Sequence, residues 1–314
     1  MTAAHLPDAP ADNWVDRLAP RQLRPWLKLG RFDRPIGAWL LMLPGWQAVA
    51  LAGASHDRWP DLRLLALIAI GALVMRGAGC AYNDIVDRDF DAKVARTAGR
   101  PIPSGQISVR QGWAYLVGLS LVGLLILLSL KPLAIALGVG SLGLVAAYPF
   151  MKRITWWPQA WLGLTFNWGA LLGYAAVSGE LAWPAVLLYA SGLFWTLGYD
   201  TIYAVQDMED DALVGVKSSA LRLGRQAPPA ILMFYGLCVL LALAAGFVAR
   251  LGPLFWPFAA LYGIHLVWQS RRLKIEDGPL ALRLFKSNRE AGLILFLAFA
   301  AGAWRHGAAM GGLG

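Results

Sequence analysis

The sequence predicts an all-α integral membrane protein with nine transmembrane helices. Hydrophobic residues make up 58% of the 314 positions, the mean hydropathy is +0.52, and only 15% of the residues are charged. A soluble domain of this size needs more charge on its surface to stay in solution. The chain instead contains repeated apolar runs of about 20 residues, the length that crosses a bilayer core. These observations exclude an ordinary soluble protein.

The nine helices follow from these apolar runs in order along the chain. Their predicted ranges are 35–54, 62–83, 110–129, 133–150, 158–178, 182–203, 228–248, 253–270 and 288–304. Of the 28 Lys and Arg residues, 22 lie before the first helix or in the loops after the even-numbered helices, and Arg76 lies within the second helix. Because Lys and Arg accumulate on the cytoplasmic side, this asymmetry predicts a cytoplasmic N-terminus and an external C-terminus.

The segments that flank the helices have distinct predicted roles. Residues 1–34 are predicted to be cytoplasmic, with an amphipathic stretch at 13–31 on the membrane surface, whereas 305–314 form a short external tail. The transmembrane domain is predicted to span 35–304. The net charge of +9 is interpreted as topology and contact with anionic membrane lipid rather than nucleic-acid binding, and no obligate protein partner is expected.

Acidic residues are concentrated in two short windows at the predicted cytoplasmic ends of the second and sixth helices. Nine of the 19 Asp and Glu residues lie there: Asp84, Asp87, Asp89, Asp91, Asp200, Asp207, Glu209, Asp210 and Asp211. Two carboxylates about 5 Å apart repel by roughly 3 kcal/mol at an effective dielectric constant of about 20. The partial negative charge of a helix C-terminus disfavours them further. A bound cation would offset both terms.

Helical spacing separates the acids that share a face from those that do not. The first shared face carries Arg76, Cys80, Asn83, Asp84, Asp87 and Asp91, and the second carries Asp200, Tyr203, Asp207 and Asp211. Asp89 and Asp210 fall off these faces and are predicted to be solvated. Hard oxygen ligands favour Mg²⁺, and neither acidic window has His or Cys at ligand spacing, which argues against zinc. The predicted metal ligands are Asn83, Asp84, Asp87, Asp91, Asp207 and Asp211.

Basic residues near the two windows suit an anionic ligand. Arg76 lies within an apolar span, where a charge costs a few kcal/mol and usually has a partner, so both a counter-ion and a ligand-binding role remain open. The stretches RTAGRPIPSG, YPFMKRITWWPQ and GVKSSA supply further cations, among them Arg96, Arg100, Lys152, Arg153 and Lys217. Carboxylates, Mg²⁺ and cations together suit a diphosphate, although topology alone explains most of the basic residues.

The two acidic windows match a known pair of motifs. NDIVDRDFD fits the pattern NDxxDxxxD, and DTIYAVQDMEDD fits DxxYxxxDxxxD. With DRPIG, MRGAGCAYND, RPIPSG and YPFMKR, these stretches resemble the UbiA superfamily of intramembrane prenyltransferases, in particular its 4-hydroxybenzoate polyprenyltransferases. The resemblance covers about residues 30–220.

The resemblance implies a helical bundle around a central cavity that is open laterally to lipid. It implies Mg²⁺-dependent transfer of a polyprenyl group from a polyprenyl diphosphate to 4-hydroxybenzoate, at the ring carbon ortho to the hydroxyl, in ubiquinone biosynthesis. The active site is expected on the cytoplasmic side of a bacterial inner membrane. The implied catalytic acids are Asp84, Asp87, Asp91, Asp200, Asp207 and Asp211. The implied diphosphate contacts are Arg100, Lys152, Arg153 and Lys217, and the implied acceptor contacts are Arg34, Arg76 and Tyr203.

Other functions are weighed against this one. Within the superfamily, the acceptor could be homogentisate, a naphthoate, haem or a chlorophyll precursor, but YPFMKR and DRPIG favour 4-hydroxybenzoate. A secondary transporter would place its charges near the bilayer midplane on broken helices, whereas these acids cluster at one membrane face. A scaffold without chemistry would not explain two matched acidic faces.

Overall fold

The structure, a computed structural model, describes residues 13–93, 97–208, 212 and 215–304. Throughout these residues, the only regular elements are helices. The predicted external tail at 305–314 and the predicted site residue Asp211 lie outside the described part of the chain.

The chain forms a succession of long and short helices. They are α1 (Trp14–Leu18), α2 (Arg24–Leu29), α3 (Ile36–Ser55), α4 (Leu62–Val86), α5 (Arg88–Asp91), α6 (Val109–Leu128), α7 (Pro132–Ile154), α8 (Pro158–Phe166), α9 (Trp168–Ser178), α10 (Trp183–Val205), α11 (Ser219–Leu223), α12 (Ala227–Val248), α13 (Phe255–Arg272), α14 (Gly278–Lys286) and α15 (Asn288–Ala301). A 3₁₀ turn at Gly224–Gln226 joins α11 to α12.

Several described segments are long and apolar enough to cross a membrane. They are Ile36–Ser55, Leu62–Val86, Val109–Leu128, Pro132–Ile154 and Ser219–Val248. These five spans support a multi-pass membrane protein, but they do not confirm the predicted count of nine transmembrane helices. Helix α6 shows why lipid is the expected neighbour: Val117, Leu121, Leu125 and Leu128 are exposed along one of its faces. In water, such a stripe would be an unfavourable apolar patch.

Local sequence signals determine many of the helix ends. Ser108 and Gln111 form a reciprocal capping box at the start of α6. Proline stands in the first turn of α7, α8, α10 and α12, where its missing N–H would have no helical partner. Gly179 caps the end of α9, and its φ of 87° lies in the left-handed region that favours glycine.

The predicted helix at 158–178 is divided in two at Asn167. The Asn167 side-chain amide donates hydrogen bonds of 2.8 Å to the carbonyl of Gly163 and 2.8 Å to the Thr196 hydroxyl. Asparagine competes in this way with the backbone of a regular helix. Gly192 makes room for it, since a Cβ there would lie 2.1 Å from Asn167 Oδ1. Apolar periodicity cannot reveal such a break.

One compact unit comprises Met1–Trp39 and Ala69–Ser129. Its buried core contains Leu29, Ala81, Ile85, Ile102 and Ile107. The amphipathic stretch predicted at 13–31 forms the short helices α1 and α2, which are tied together by a 2.7 Å ion pair between Lys28 and Asp16. Burial raises the pKa of Asp16, but hydrogen bonds from Lys28 and Asn13 outweigh this effect and hold that pKa below its ordinary value.

The second compact unit comprises Leu40–Ile68 and Leu130–Gly314. Its largest fully buried side chains are aromatic: Trp195, Tyr199, Tyr235, Tyr262, Phe255 and Phe299. Small residues pack α3 against α9, where a Cβ on Gly173 would lie 2.6 Å from the carbonyl oxygen of Gly45. Close approach of helix backbones through small residues is a common packing mode in membranes.

Candidate active site

The first acidic motif lies where α4 passes into α5. The helical hydrogen-bond pattern continues through the junction, since the Asp87 amide donates to the Asn83 carbonyl at 2.9 Å and the Asp91 amide donates to the Asp87 carbonyl at 2.7 Å. Asp84, Asp87 and Asp91 are all buried. The Asp89 side chain is 85% exposed. The predicted separation of a solvated Asp89 from the other three acids is therefore confirmed.

Two arginines form ion pairs with two of the three buried acids. Arg31 Nη2 lies 2.7 Å from Asp84 Oδ1, and Arg100 Nη1 lies 2.7 Å from Asp91 Oδ2 and 3.5 Å from Asp84 Oδ1. Burial lowers the pKa of Arg31. The neighbouring negative charges, of which the Asp84 carboxylate has the largest effect, together raise that pKa by more than burial lowers it, so the pKa of Arg31 is above its ordinary value. We call Arg31, Asp84, Asp91 and Arg100 the Asp84 cluster.

The backbone of the loop before α3 directs Arg31 toward Asp84. Arg31 has a φ of 60°, in the left-handed region that non-glycine residues seldom occupy. Its Nη1 also donates a 2.9 Å hydrogen bond to the Lys28 carbonyl. A backbone conformation of this kind at a buried charged residue is typical of functional sites.

The loop after α5 holds Arg100 in the Asp84 cluster. The Thr97 hydroxyl donates a 2.8 Å hydrogen bond to the carbonyl of Asp91, and the Arg100 amide donates to the carbonyl of Thr97. Ile102 and Ile107 anchor the rest of the loop in the hydrophobic core. The stretch RPIPSG thus brings its arginine to the acids that the first motif supplies.

The arginines predicted to bind the acceptor lie near the start of α3. Arg34 Nη2 lies 3.4 Å from an oxygen of the buried Asp33 carboxylate. The Arg76 guanidinium packs against Gly37, where an added Cβ would lie 2.7 Å from Nε. The last residue of DRPIG, Gly37, must therefore be small, because Arg76 of α4 approaches its backbone closely.

The second acidic motif lies at the end of α10. Asp200 is half-buried within the helix, and Asp207 is buried just beyond its last residue, Val205. Tyr203 packs its ring against Phe285 with a centroid separation of 4.7 Å. The predicted helical face is described only as far as Asp207.

Basic residues from the last turn of α7 and from the loop before α11 meet at the C-terminal end of α7. The Lys217 amide donates to the Lys152 carbonyl at 3.1 Å, and Lys217 Nζ donates to the Ile154 carbonyl at 3.2 Å. Arg153 is exposed, and Lys152 and Lys217 are half-buried. The structure thus brings together three of the four residues predicted to contact diphosphate, whereas Arg100 belongs to the Asp84 cluster.

Residues 41–300 match the UbiA prenyltransferase family. The chain belongs to this family. It is 47% identical over 287 residues to the mitochondrial 4-hydroxybenzoate polyprenyltransferase of Homo sapiens. The aligned region covers 90% of this chain and 76% of the human protein. It is also 47% identical over 283 residues to the enzyme of that name from Aedes aegypti, covering 88% of this chain and 63% of the mosquito protein.

Solved UbiA structures share the fold. The apo structure of a UbiA homolog from Aeropyrum pernix K1 has a TM-score of 0.68 at 26% identity, covering 83% of this chain and 96% of that one. A UbiA homolog from Archaeoglobus fulgidus bound to GPP and Mg²⁺ has a TM-score of 0.65 at 19% identity, covering 88% of this chain and 98% of that one. These similarities agree with the all-helical architecture.

The acids of this UbiA family member fit a hard cation. Asp84 Oδ2 is buried and accepts no hydrogen bond, which leaves a carboxylate oxygen available to a cation. Within the described ranges, however, no three His, Cys, Asp or Glu side chains are grouped closely enough to hold a metal ion by themselves. In this structure, the arginines of the Asp84 cluster supply the compensating positive charge.

The place of Arg31 in the Asp84 cluster was not predicted from the sequence. Arg31 was assigned to the topological excess of positive charge before the first helix and to the amphipathic stretch at 13–31. Its position two residues before the DRPIG stretch was an available signal, but its left-handed φ and its 2.7 Å contact with Asp84 are properties of the folded chain. Asp33 was also missed as a site residue, although it opens that same stretch and is buried beside Arg34.

Proposed function

We propose that this chain transfers a polyprenyl group from a polyprenyl diphosphate to the ring carbon of 4-hydroxybenzoate ortho to its hydroxyl, in ubiquinone biosynthesis. The observation that carries this proposal is the 47% identity to the human 4-hydroxybenzoate polyprenyltransferase over 90% of the chain. The buried acids of the first motif and the arginines of the Asp84 cluster support it, because a diphosphate with its counter-cation needs both kinds of partner.

The carboxylates of the two motifs serve to hold the cation and the diphosphate. Asn83, Asp84, Asp87, Asp91, Asp207 and Asp211 are the proposed ligands, with Asp200 as a further catalytic acid. Mg²⁺ would neutralise the charge that develops on the leaving diphosphate. Its proposed use is supported by hard oxygen donors in this chain and, at the level of the fold, by the Archaeoglobus fulgidus homolog bound to GPP and Mg²⁺. Arg100, Lys152, Arg153 and Lys217 provide positive charge for the diphosphate.

The acceptor is held by its carboxylate and its ring. Arg34 and Arg76 are the proposed carboxylate partners, and Tyr203 is the proposed ring contact. When the carbon–oxygen bond of the donor breaks, its electron pair leaves with the diphosphate, and the allylic carbon becomes electrophilic. The ring carbon forms the new carbon–carbon bond and then releases its proton. A site lined by apolar helices excludes the water that would otherwise capture the allylic carbon.

The proposed arrangement in the membrane follows the distribution of positive charge. Nine transmembrane helices over 35–304 place the N-terminus and both acidic motifs on the cytoplasmic side, with 305–314 outside. A bacterial inner membrane remains our prediction for the compartment. The human and mosquito relatives carry the designation mitochondrial in their names.

Removal of divalent metal is expected to stop the reaction. Purified protein given 4-hydroxybenzoate, geranyl diphosphate and Mg²⁺ should release diphosphate and form the prenylated acid. EDTA should lower the rate to the background without protein, and excess Mg²⁺ should restore it. Homogentisate and a hydroxynaphthoate serve as alternative acceptors in parallel reactions. Full activity in EDTA would contradict the metal requirement, and turnover with only an alternative acceptor would contradict the proposed substrate.

Replacement of Gly37 is expected to impair binding of the acceptor. In Gly37→Ala, the added methyl group would lie 2.7 Å from Arg76 Nε, so the guanidinium must move. We expect the KM for 4-hydroxybenzoate to rise by about tenfold, the equivalent of one weakened charge-assisted hydrogen bond, with a smaller change in the KM for the donor. Gly79→Ala is the matched control on α4, because nothing lies within 4 Å of its added Cβ. Equal kinetics in the two variants would contradict the role of Arg76.

A further inference from the structure

A chain of buried polar side chains links three helices of the second unit. The hydroxyls of Thr201 on α10 and Ser219 on α11 share a 2.6 Å hydrogen bond, in which either can donate. The Ser219 amide donates a 3.1 Å hydrogen bond to Oε1 of Gln159 on α8. All three residues are buried. Burial of such groups is unfavourable unless they are hydrogen-bonded to one another, so they favour one relative position of the three helices.

This chain of hydrogen bonds lies directly beside the basic residues at the end of α7. Lys217 precedes Ser219 by two positions, and its backbone amide is bonded to the Lys152 carbonyl. Ser218, between them, accepts a hydrogen bond from the Leu221 amide and so caps α11. The segment that carries Lys217 is therefore fixed on one side by α7 and on the other by α11.

The same hydrogen bonds reach the second acidic motif. Thr201 lies between Asp200 and Tyr203 on α10. Its own side chain is buried, where it is hydrogen-bonded to Ser219. The hydrogen bond between Thr201 and Ser219 thus connects the helix that carries the acids to the segment that carries Lys217. Thr201 stands at an unspecified position of the pattern DxxYxxxDxxxD, and Gln159 ends the stretch YPFMKRITWWPQ, but neither was predicted to be a site residue.

We infer that Gln159, Ser219 and Thr201 form a latch that positions Lys217 for the diphosphate of the donor. They are positioning residues, since they act through Lys217 and α10. Without the latch, the segment that carries Lys217 can move away from Lys152, because mutual repulsion of the two ammonium groups favours separation. The inference rests on the proposed function insofar as it assigns the diphosphate to Lys217.

The test compares Thr201→Val, which removes the hydroxyl at nearly constant volume, with Thr201→Ser, which retains it. Thr201→Val is expected to raise the KM for geranyl diphosphate by about five- to tenfold, the equivalent of one lost buried hydrogen bond, with little change in kcat. The dissociation constant of inorganic diphosphate, measured by calorimetry in the presence of Mg²⁺, should rise by a similar factor. Thr201→Ser should restore both values.

Hydrogen exchange tests the latch without turnover. Backbone amides at 215–223 should exchange faster in Thr201→Val than in the wild type or in Thr201→Ser. Thr165→Val is the matched control, because the Thr165 hydroxyl is bonded within its own helix, to the Trp161 carbonyl. If Thr201→Val does not yield folded protein, Ser219→Ala and Gln159→Leu provide the same comparison.

The outcomes separate the latch from the proposed reaction. Faster exchange at 215–223 with weaker binding of inorganic diphosphate supports the latch, even if 4-hydroxybenzoate is not the acceptor. Unchanged exchange and unchanged diphosphate binding in Thr201→Val would overturn it. A failure of Thr201→Ser to rescue would also overturn it, since that result would assign the effect to packing of the threonine methyl group.

Discussion

Asp84→Asn is expected to reduce prenyl transfer by about 100-fold or more, because it removes the charge of the most deeply buried acid in the first motif. The substitution preserves the shape of the side chain and a hydrogen-bond acceptor for Arg31, so the fold should survive. What it removes is the negative charge that balances Arg31 and Arg100 and that attracts the cation. The measurement is the initial rate with saturating Mg²⁺, geranyl diphosphate and 4-hydroxybenzoate.

Asp89→Asn is the matched control for Asp84→Asn. It lies in the same motif and loses the same charge, but its side chain is 85% exposed and its ion-pair partner, Arg88, is also at the surface. Surface ion pairs contribute about 0–1 kcal/mol, so both activity and melting temperature should stay close to those of the wild type. Comparable losses in the two variants would mean that net charge, rather than the Asp84 cluster, determines activity.

Gly173→Ala is expected to lower the stability of the protein by about 1–3 kcal/mol through overpacking between α3 and α9. The added Cβ would lie 2.6 Å from the carbonyl oxygen of Gly45 and 3.2 Å from the Cβ of Ala48. Because the closest atom belongs to the backbone, no rotation of a side chain can relieve the contact, and the helices must separate. The apparent melting temperature in detergent measures this effect.

Gly143→Ala on α7 is the matched control for Gly173→Ala. Nothing lies within 4 Å of the Cβ that it adds, and alanine favours a helix over glycine by about 0.5–1 kcal/mol. Its melting temperature should therefore equal or slightly exceed that of the wild type. If Gly173→Ala melts as high as Gly143→Ala, the close packing between α3 and α9 does not contribute to stability.

The helical periodicity predicted much of the acidic site. Spacing alone distinguished Asp84, Asp87 and Asp91 from Asp89, because three- and four-residue steps return to the same helical face and two-residue steps do not. It could not predict that Arg31 and Arg100 pair with these acids. Both arginines lie in loops outside the helices, where no periodic pattern limits the direction of a side chain.

The fold shows the same division between local and tertiary information. Apolar length and charge asymmetry predicted an all-helical membrane protein and the positions of most helices, because crossing a bilayer demands about 20 apolar residues wherever it occurs. The break at Asn167 was not predicted, since it depends on a hydroxyl that Thr196 supplies and on space that Gly192 leaves.

By itself, the sequence determined that this chain is an all-helical protein of the membrane and predicted two acidic faces, because hydropathy and helical spacing are local properties. Only the tertiary structure determined the partners of the acids and the attachment of the Lys217 segment to α7, α8 and α10. Those contacts join residues that are distant in the chain, such as Arg31 and Asp84 or Gln159 and Ser219. Their formation depends on how the helices pack, and no local pattern records it.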